Sequence, residues 1–360
     1  MRDATPHVWF IELSQKTAIN GAADSPCRQA ITPQDRTMRI ALIAAATLLA
    51  GSALAEPSGT LTLYTSQPNA DAQATIDAFQ AAYPNVSVGF FRDGTTKVMA
   101  KLQSEFAAGQ PQADLLLIAD TVTMEALKQE GRLLAYRDAD TSAYPDGLMD
   151  EEGYYFSTKL ITTGIVYNTG APLKPQSYKD LLADEAAGKI MIPSPLTSGA
   201  ATITMETLIA DPSLGWDFYE GLAEQDTLAS GGNGGVFKAV AGGEKLYGFL
   251  VDYLAIRSRD EGAPVEFVFP TEGVSYVTEP VAILSTTQNE EAAKAFVDFL
   301  LSEEGQALAA AQGYLPAHPA VDAPAGFPSR DAIKLMEFDP ARALRESDAD
   351  KLRFSEMFGG

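Results

Sequence analysis

The chain has 360 residues, enough for about two domains. Hydrophobic types make up 46% and charged types 21%, ordinary globular usage that excludes wholesale disorder, collagen and small disulfide scaffolds. Forty-eight acidic residues against 26 basic ones give a net charge of −22, which repels nucleic-acid backbones and anionic membrane surfaces.

In chain order, the first readable segment is Met38 to Ala55. It has a basic start (Arg36, Arg39), an apolar run from Ile40 to Ala50, and small residues at Ala53 and Ala55. That pattern is a secretory signal peptide cut before Glu56, and its apolar run is too short for stable insertion in a bilayer. Residues 1–37 hold the single cysteine, Cys27, together with His7. They precede a complete signal, so a non-native upstream extension and a true start at Met38 are expected. From residue 56 onward there is no cysteine. Disulfides, a cysteine nucleophile and a thiolate metal site are therefore excluded, and a lipid anchor at the cleavage point is disfavoured. The expectation is an exported, soluble protein of the periplasm.

Gly59 to Thr65 alternates as a strand, and Ala72 to Ala82 has helical spacing stopped by Pro84. Val86 to Phe91 is a second strand, and Gly94-Thr95-Thr96 opens a helix carrying Val98, Met99, Leu102 and Phe106. The apolar run Leu115 to Ile118 reads as a strand buried on both faces, followed by a helix from Thr123. This alternation predicts a parallel α/β sheet. A second set follows, with strands at 164–168, 190–192, 247–251, 265–269 and 281–284. Helices are expected at 178–182, from Ser198 to Leu208, at 237–242, at 255–259, and as one long element from Glu290 to Ala310. Two short helical patterns close the chain, around 331–336 and 348–358. No linker separates free domains, so two closely packed α/β lobes are expected.

Ligands of open α/β sheets bind beyond the carboxyl ends of strands, often at helix N-termini. Three such places carry glycine or hydroxyl residues: Ser66 and Gln67, Thr95 and Thr96, and Thr197-Ser198-Gly199-Ala200. Backbone N–H groups and hydroxyls there suit a phosphate, phosphonate or carboxylate. Each taken singly is equally a plain N-cap. Asp252 and Tyr253 follow another strand: Asp252 would hold an ammonium group or cap a helix, and Tyr253 would donate to a ligand oxygen. Asp120 and Glu279 are further candidates, with surface or capping roles as the simpler reading. Gly231 to Gly235 lacks the spacing and lysine of a phosphate loop and reads as a turn. The one histidine after the leader, His318, excludes a His-rich zinc site, and there is no G-x-S-x-G elbow. An enzyme is therefore not expected, and no cofactor.

Taken together, the signal peptide, Gly59-Thr-Leu-Thr-Leu-Tyr64, Gly94-Thr95-Thr96, Ala113-Asp-Leu-Leu, Gly164-Ile-Val-Tyr-Asn168 and Ala292 to Leu300 resemble periplasmic solute-binding proteins of ABC importers. The nearest branch holds binders of ferric ion, aminoethylphosphonate and sugar phosphates. The resemblance implies a type II periplasmic binding fold: two α/β lobes, a hinge crossed by two strands near 160–168 and 270–282, and a solute cleft between. It places lobe 1 at 56–163 plus 275–325, lobe 2 at 164–274, and C-terminal helices at 326–360. A monomer that docks on membrane permease subunits is implied, with no nucleic-acid partner. Ferric members use two adjacent tyrosines after the strand at 247–251, a histidine near the first strand and often a carboxylate, hard oxygen ligands for a hard ion. Here the pair becomes Tyr253-Leu254, and Ser66 to Asn69 has no histidine. An anionic or zwitterionic solute, an organophosphonate or phosphate ester, is therefore expected. The rivals are a ferric receptor using Tyr253 and a secreted carboxylate-based hydrolase or lyase.

Overall fold

The computed structural model describes residues 56–145 and 147–359; the leader and the 1–37 segment lie outside the described residues. The first sheet is built from β1 (Gly59–Thr65), β2 (Val86–Arg92), β3 (Leu115–Leu117), β4 (Leu133–Leu134), β5 (Tyr155–Ser157) and β12 (Pro280–Leu284). β1 pairs in parallel with β2 and β3, and β12 runs antiparallel to β3, β4 and β5. The unbroken leucine run explains why β3 is central. Leu115 and Leu117 face one hydrophobic layer and Leu116 the opposite one, all with no exposed surface. On one side Phe79 stacks edge-on against Phe296, ring centres 4.9 Å apart.

The second sheet holds β6 (Lys159–Asn168), β7 (Ile190–Ile192), β8 (Leu228–Ala229), β9 (Tyr247–Val251), β10 (Val265–Val268) and β11 (Ser275–Val277), with β13 (Leu315–Pro316) on the start of β6. Gly248 is required in β9, because a Cβ there would strike the Met191 carbonyl and lie 2.8 Å from Val236. Its core is aromatic: Tyr178, Phe218, Tyr219 and Phe249 pack together. The chain changes sheet at Thr158, between β5 and β6, and at Thr278–Glu279, between β11 and β12. Two lobes joined by two crossing strands result.

Helices α1 (Asn69–Ala82), α2 (Thr95–Ala107) and α3 (Thr121–Gln129) follow the first three strands. In the second lobe come α4 (Gly199–Ala210), α5 (Gly215–Glu224), α6 (Asn233–Ala241) and α7 (Asp252–Asp260). The long helix expected from 290 to 310 is two: α8 (Glu290–Leu301) and α9 (Glu303–Ala311). Ser302 breaks it by adopting extended backbone (φ −67°, ψ 158°) and capping α9 through the Gly305 N–H. Gly305 then packs against the Phe299 carbonyl, where no Cβ fits. The terminal helix α10 (Pro340–Phe358) begins earlier than its periodicity indicated, with Asp339 as cap and Pro340 at its first position. It lies against α3 of one lobe and α4 of the other. No described helix is long and apolar enough to cross a membrane.

Candidate functional site

The carboxyl ends of β1, β2 and β3 face those of β7, β8 and β9 across a cleft of about 660 Å³. Ser66, Thr95, Thr96, Thr197, Ser198, Ala200, Tyr253 and Glu279 line it; Gln67, Asp120, Gly199 and Asp252 do not.

Several helices begin at the cleft, α1 after Pro68 and α7 after Val251 among them, and the caps of α2, α4 and α6 bear on the two readings left open by the sequence. α2 starts after Gly94 with no side-chain cap, and α6 starts after Gly232 with none either. The first N–H groups of α2 and α6, on Thr95, Thr96, Asn233 and Gly234, thus find no acceptor among the described residues. α4 is capped by Ser198, whose hydroxyl accepts from the Ala201 N–H at a long 3.4 Å. Capping does account for Asp120, which is buried and accepts from the Thr123 N–H (3.0 Å) and hydroxyl (2.6 Å). Burial pushes its carboxyl up, while the Thr123 bonds pull it down.

The segment Gly231 to Gly235, read from sequence as a turn, is a turn only at Gly231 (φ +62°). From Asn233 it is the first turn of α6, and all five residues line the cleft. The Asn233 side-chain amide donates to the Ser198 hydroxyl at 3.4 Å, and its oxygen is buried with no partner among the described residues.

Four basic residues that the sequence reading did not single out line the same cleft: Arg92, Lys97, Lys238 and Arg257. Only Asp93 and Glu279 oppose them, so the cleft is formally positive in a chain of charge −22. Arg92 ends β2, and its Nε and Nη2 donate to the Gln67 and Ser66 carbonyls at 2.6 and 3.4 Å. Lys97 is exposed and 3.6 Å from Asp93; Lys238 is exposed, with no ion pair among the described residues. Arg257, one turn along α7 from Tyr253, donates to Asp71 at 3.1 Å and to the Gln312 carbonyl at 3.0 Å. A basic residue at a strand end was the available signal for Arg92. Nothing local marked the other three.

Asp252 serves the scaffold rather than the cleft. It has no exposed surface, and Oδ2 accepts from the Thr162 N–H (3.0 Å) and hydroxyl (2.7 Å), Oδ1 from the Tyr253 N–H (2.6 Å). It thereby ties α7 to β6, leaving neither oxygen for a ligand ammonium. Tyr253 packs 4.3 Å from Tyr314 between ring centres. Burial raises its phenol, and the Glu279 and Asp71 charges raise it further, so it faces the cleft as a neutral hydroxyl. Ser66 accepts from the Ala119 N–H at 3.0 Å, and Thr197 donates to the Gly231 carbonyl at 2.7 Å. His318 packs edge-on against Tyr144 and does not line the cleft.

The lobes touch beside the cleft. A Cβ on Gly94 would lie 2.8 Å from the Thr197 carbonyl, and one on Gly199 would lie 2.5 Å from the Ala119 carbonyl. Gly199 therefore acts through close approach, with no side chain to offer a ligand.

Residues 61–315 match the family described as bacterial extracellular solute-binding protein. An uncharacterised protein of Haemophilus influenzae is 30% identical over 317 residues, covering 83% of this chain and 89% of that one. A probable ABC transporter periplasmic-binding protein of Sinorhizobium fredii, y4fP, is 26% identical over 79% of this chain and 82% of its own. Among solved structures, the periplasmic binding protein AfuA of Actinobacillus pleuropneumoniae, with fructose-6-phosphate bound, superposes with a TM-score of 0.76 at 23% identity. It covers 84% of this chain and 99% of its own. Iron-bound HitA of Pseudomonas aeruginosa gives 0.69 at 21% identity, over 82% and 99% of the two chains. With its two lobes, crossing strands and cleft, the chain belongs to the bacterial extracellular solute-binding protein family and has the fold of the periplasmic receptors of ABC importers.

Proposed function

We propose that this receptor captures an organic anion carrying a phosphate or phosphonate group, in the periplasm, and delivers it to a membrane permease. One observation carries the reading. Two uncapped helix N-termini, on α2 and α6, line the same cleft as four basic side chains, in an otherwise strongly acidic protein. Free N–H groups at a helix start supply directed donors and a partial positive charge, the usual cradle of a phosphoryl group. The two helices come from different lobes, so one anion bridging them favours the closed arrangement by its differential affinity. Ser66, Thr95, Thr96, Ser198 and Tyr253 add hydroxyl donors around it, while the Thr197 hydroxyl is held by the Gly231 carbonyl.

Iron has less support. Tyr253 is the one tyrosine lining the cleft, no histidine joins it, and no group of three histidine, cysteine, aspartate or glutamate side chains suited to a metal occurs among the described residues. A thermal-shift panel of 2-aminoethylphosphonate, a hexose phosphate, inorganic phosphate and ferric citrate tests the reading. Ligand at about 100 times its dissociation constant stabilises by about 2.7 kcal/mol. On a chain of this size that raises the midpoint by roughly 2–4 °C per kcal/mol. A shift with ferric citrate alone would overturn the anion reading.

A further inference from the structure

Glu279 is the one carboxylate that lines the cleft while being almost fully buried, 2% exposed. It sits where the chain passes from the second sheet to the first, and its backbone is left-handed (φ +38°), a conformation that non-glycine residues rarely hold. Such local strain persists where the surroundings enforce it, and it clusters at ligand clamps. The surroundings here are specific. Lys159, itself 3% exposed and placed at the other crossing strand, pairs with Oε2 at 2.8 Å. Gln67 donates to the same oxygen at 3.4 Å, and Thr158 donates to the Glu279 carbonyl at 2.8 Å. Both protein donors thus converge on Oε2. Oε1 has no partner among the described residues and is not among the fully enclosed polar atoms, so it is the oxygen that opens to the cleft.

We infer that Oε1 of Glu279 accepts a hydrogen bond from a donor group on the solute, a hydroxyl or an ammonium, and so makes the cleft selective for bipolar solutes. This inference rests on the anion reading and deepens it. The anionic end meets the helix starts and the basic side chains, and the donor end meets Glu279. A bare phosphate or sulfate ion satisfies only the first pole and brings no donor to Oε1. A phosphate ester or phosphonate with a hydroxyl or amine satisfies both. Because Glu279 and Lys159 stand at the two crossings between the sheets, the contact also sits at the pivot of closure, so that a complete solute is read where the lobes hinge.

Calorimetry with two matched pairs of probes tests this. Ethylphosphonate against 2-aminoethylphosphonate isolates the amine, and propyl phosphate against glycerol 3-phosphate isolates the hydroxyls. The wild-type protein should bind the donor-bearing member of at least one pair about ten-fold or more tightly, as expected for a hydrogen bond to a charged group. Preference in the first pair identifies an ammonium, and preference in the second a polyol. Glu279→Gln keeps an oxygen for Lys159, removes the charge and turns an NH2 donor to the cleft; it should abolish an amine preference and retain part of a hydroxyl preference, since a hydroxyl also accepts. Ratios near one in both wild-type pairs, with all four probes bound, overturn the role of Glu279 and leave the anion reading standing. That comparison needs no variant to fold. Failure of all four to bind overturns both readings, and a preference that Glu279→Gln leaves undiminished for the amine overturns the assignment to this residue.

Discussion

Asp252 offers a sharp test of how the cleft is held in place, because it opens the helix that carries Tyr253 and Arg257. Burial pushes its carboxyl from an ordinary value of 3.8 up to about 7, against the bonds from Thr162 and Tyr253 that pull it down. In the window between those values the folded protein holds a proton that the unfolded chain has released. Stability from this group is therefore complete below its unfolded value and is lost as pH rises through about 7. The gap is about three pKa units, or roughly 4 kcal/mol, of which about 3 kcal/mol falls between pH 5 and pH 8. Asp252→Asn removes the titration while leaving a neutral group of the same shape. Urea unfolding of both proteins, followed by circular dichroism at about pH 5 and about pH 8, measures the difference. Glu206, which burial also pushes up to about 7, adds a slope of the same sign to both proteins. The wild-type-minus-variant difference therefore isolates Asp252. The variant should gain about 3 kcal/mol on the wild type between the two pH values, whatever its offset at pH 5. Parallel profiles would refute the reasoning, since they would mean that Asp252 does not titrate in that range.

Gly94→Ala places a methyl group 2.8 Å from the Thr197 carbonyl, but only when the lobes meet. Overpacking of this kind costs about 1–3 kcal/mol, so calorimetry should show affinity for a phosphorylated solute lowered by about ten- to a hundred-fold. The melting midpoint of an open, ligand-free form should not move; unchanged affinity would show that the two loops need not meet on binding. Arg342→Ala removes the guanidinium 2.6 Å from Glu206, whose side chain is 1% exposed, and loosens the terminal helix from α4. The expected loss is about 3 kcal/mol at pH 8, shrinking near pH 5 where the orphaned carboxyl is neutral. A loss that does not depend on pH would place the contribution of Arg342 in its packing rather than in its charge.

The elements with a strong local period were legible before any coordinates. The alternation of β1, the leucine run of β3 and the apolar spacing of α2 each follow from a repeat of two or 3.6 residues within one short window. So did the helix starts at Thr95 and Ser198, since glycine and hydroxyl residues after a strand are themselves the local signal. The long helix broken at Ser302 was misread because apolar spacing continues on both sides of the break, and only the approach of Gly305 to the Phe299 carbonyl shows why the chain must turn there.

What the sequence determined by itself was the alternating α/β order and the family. Each is carried by residues close together in the chain or by its composition. Tertiary structure alone decided which polar groups face the cleft. Asp252 and Thr162 are 90 residues apart, and their bond turns an expected ligand group into a brace. Lys159 and Glu279 stand at different crossings between the sheets, and the four basic residues of the cleft come from three separate stretches of chain. Burial, pairing and the exposure of an unpartnered oxygen are set by which distant segments the fold brings together, and no local period in the chain encodes that.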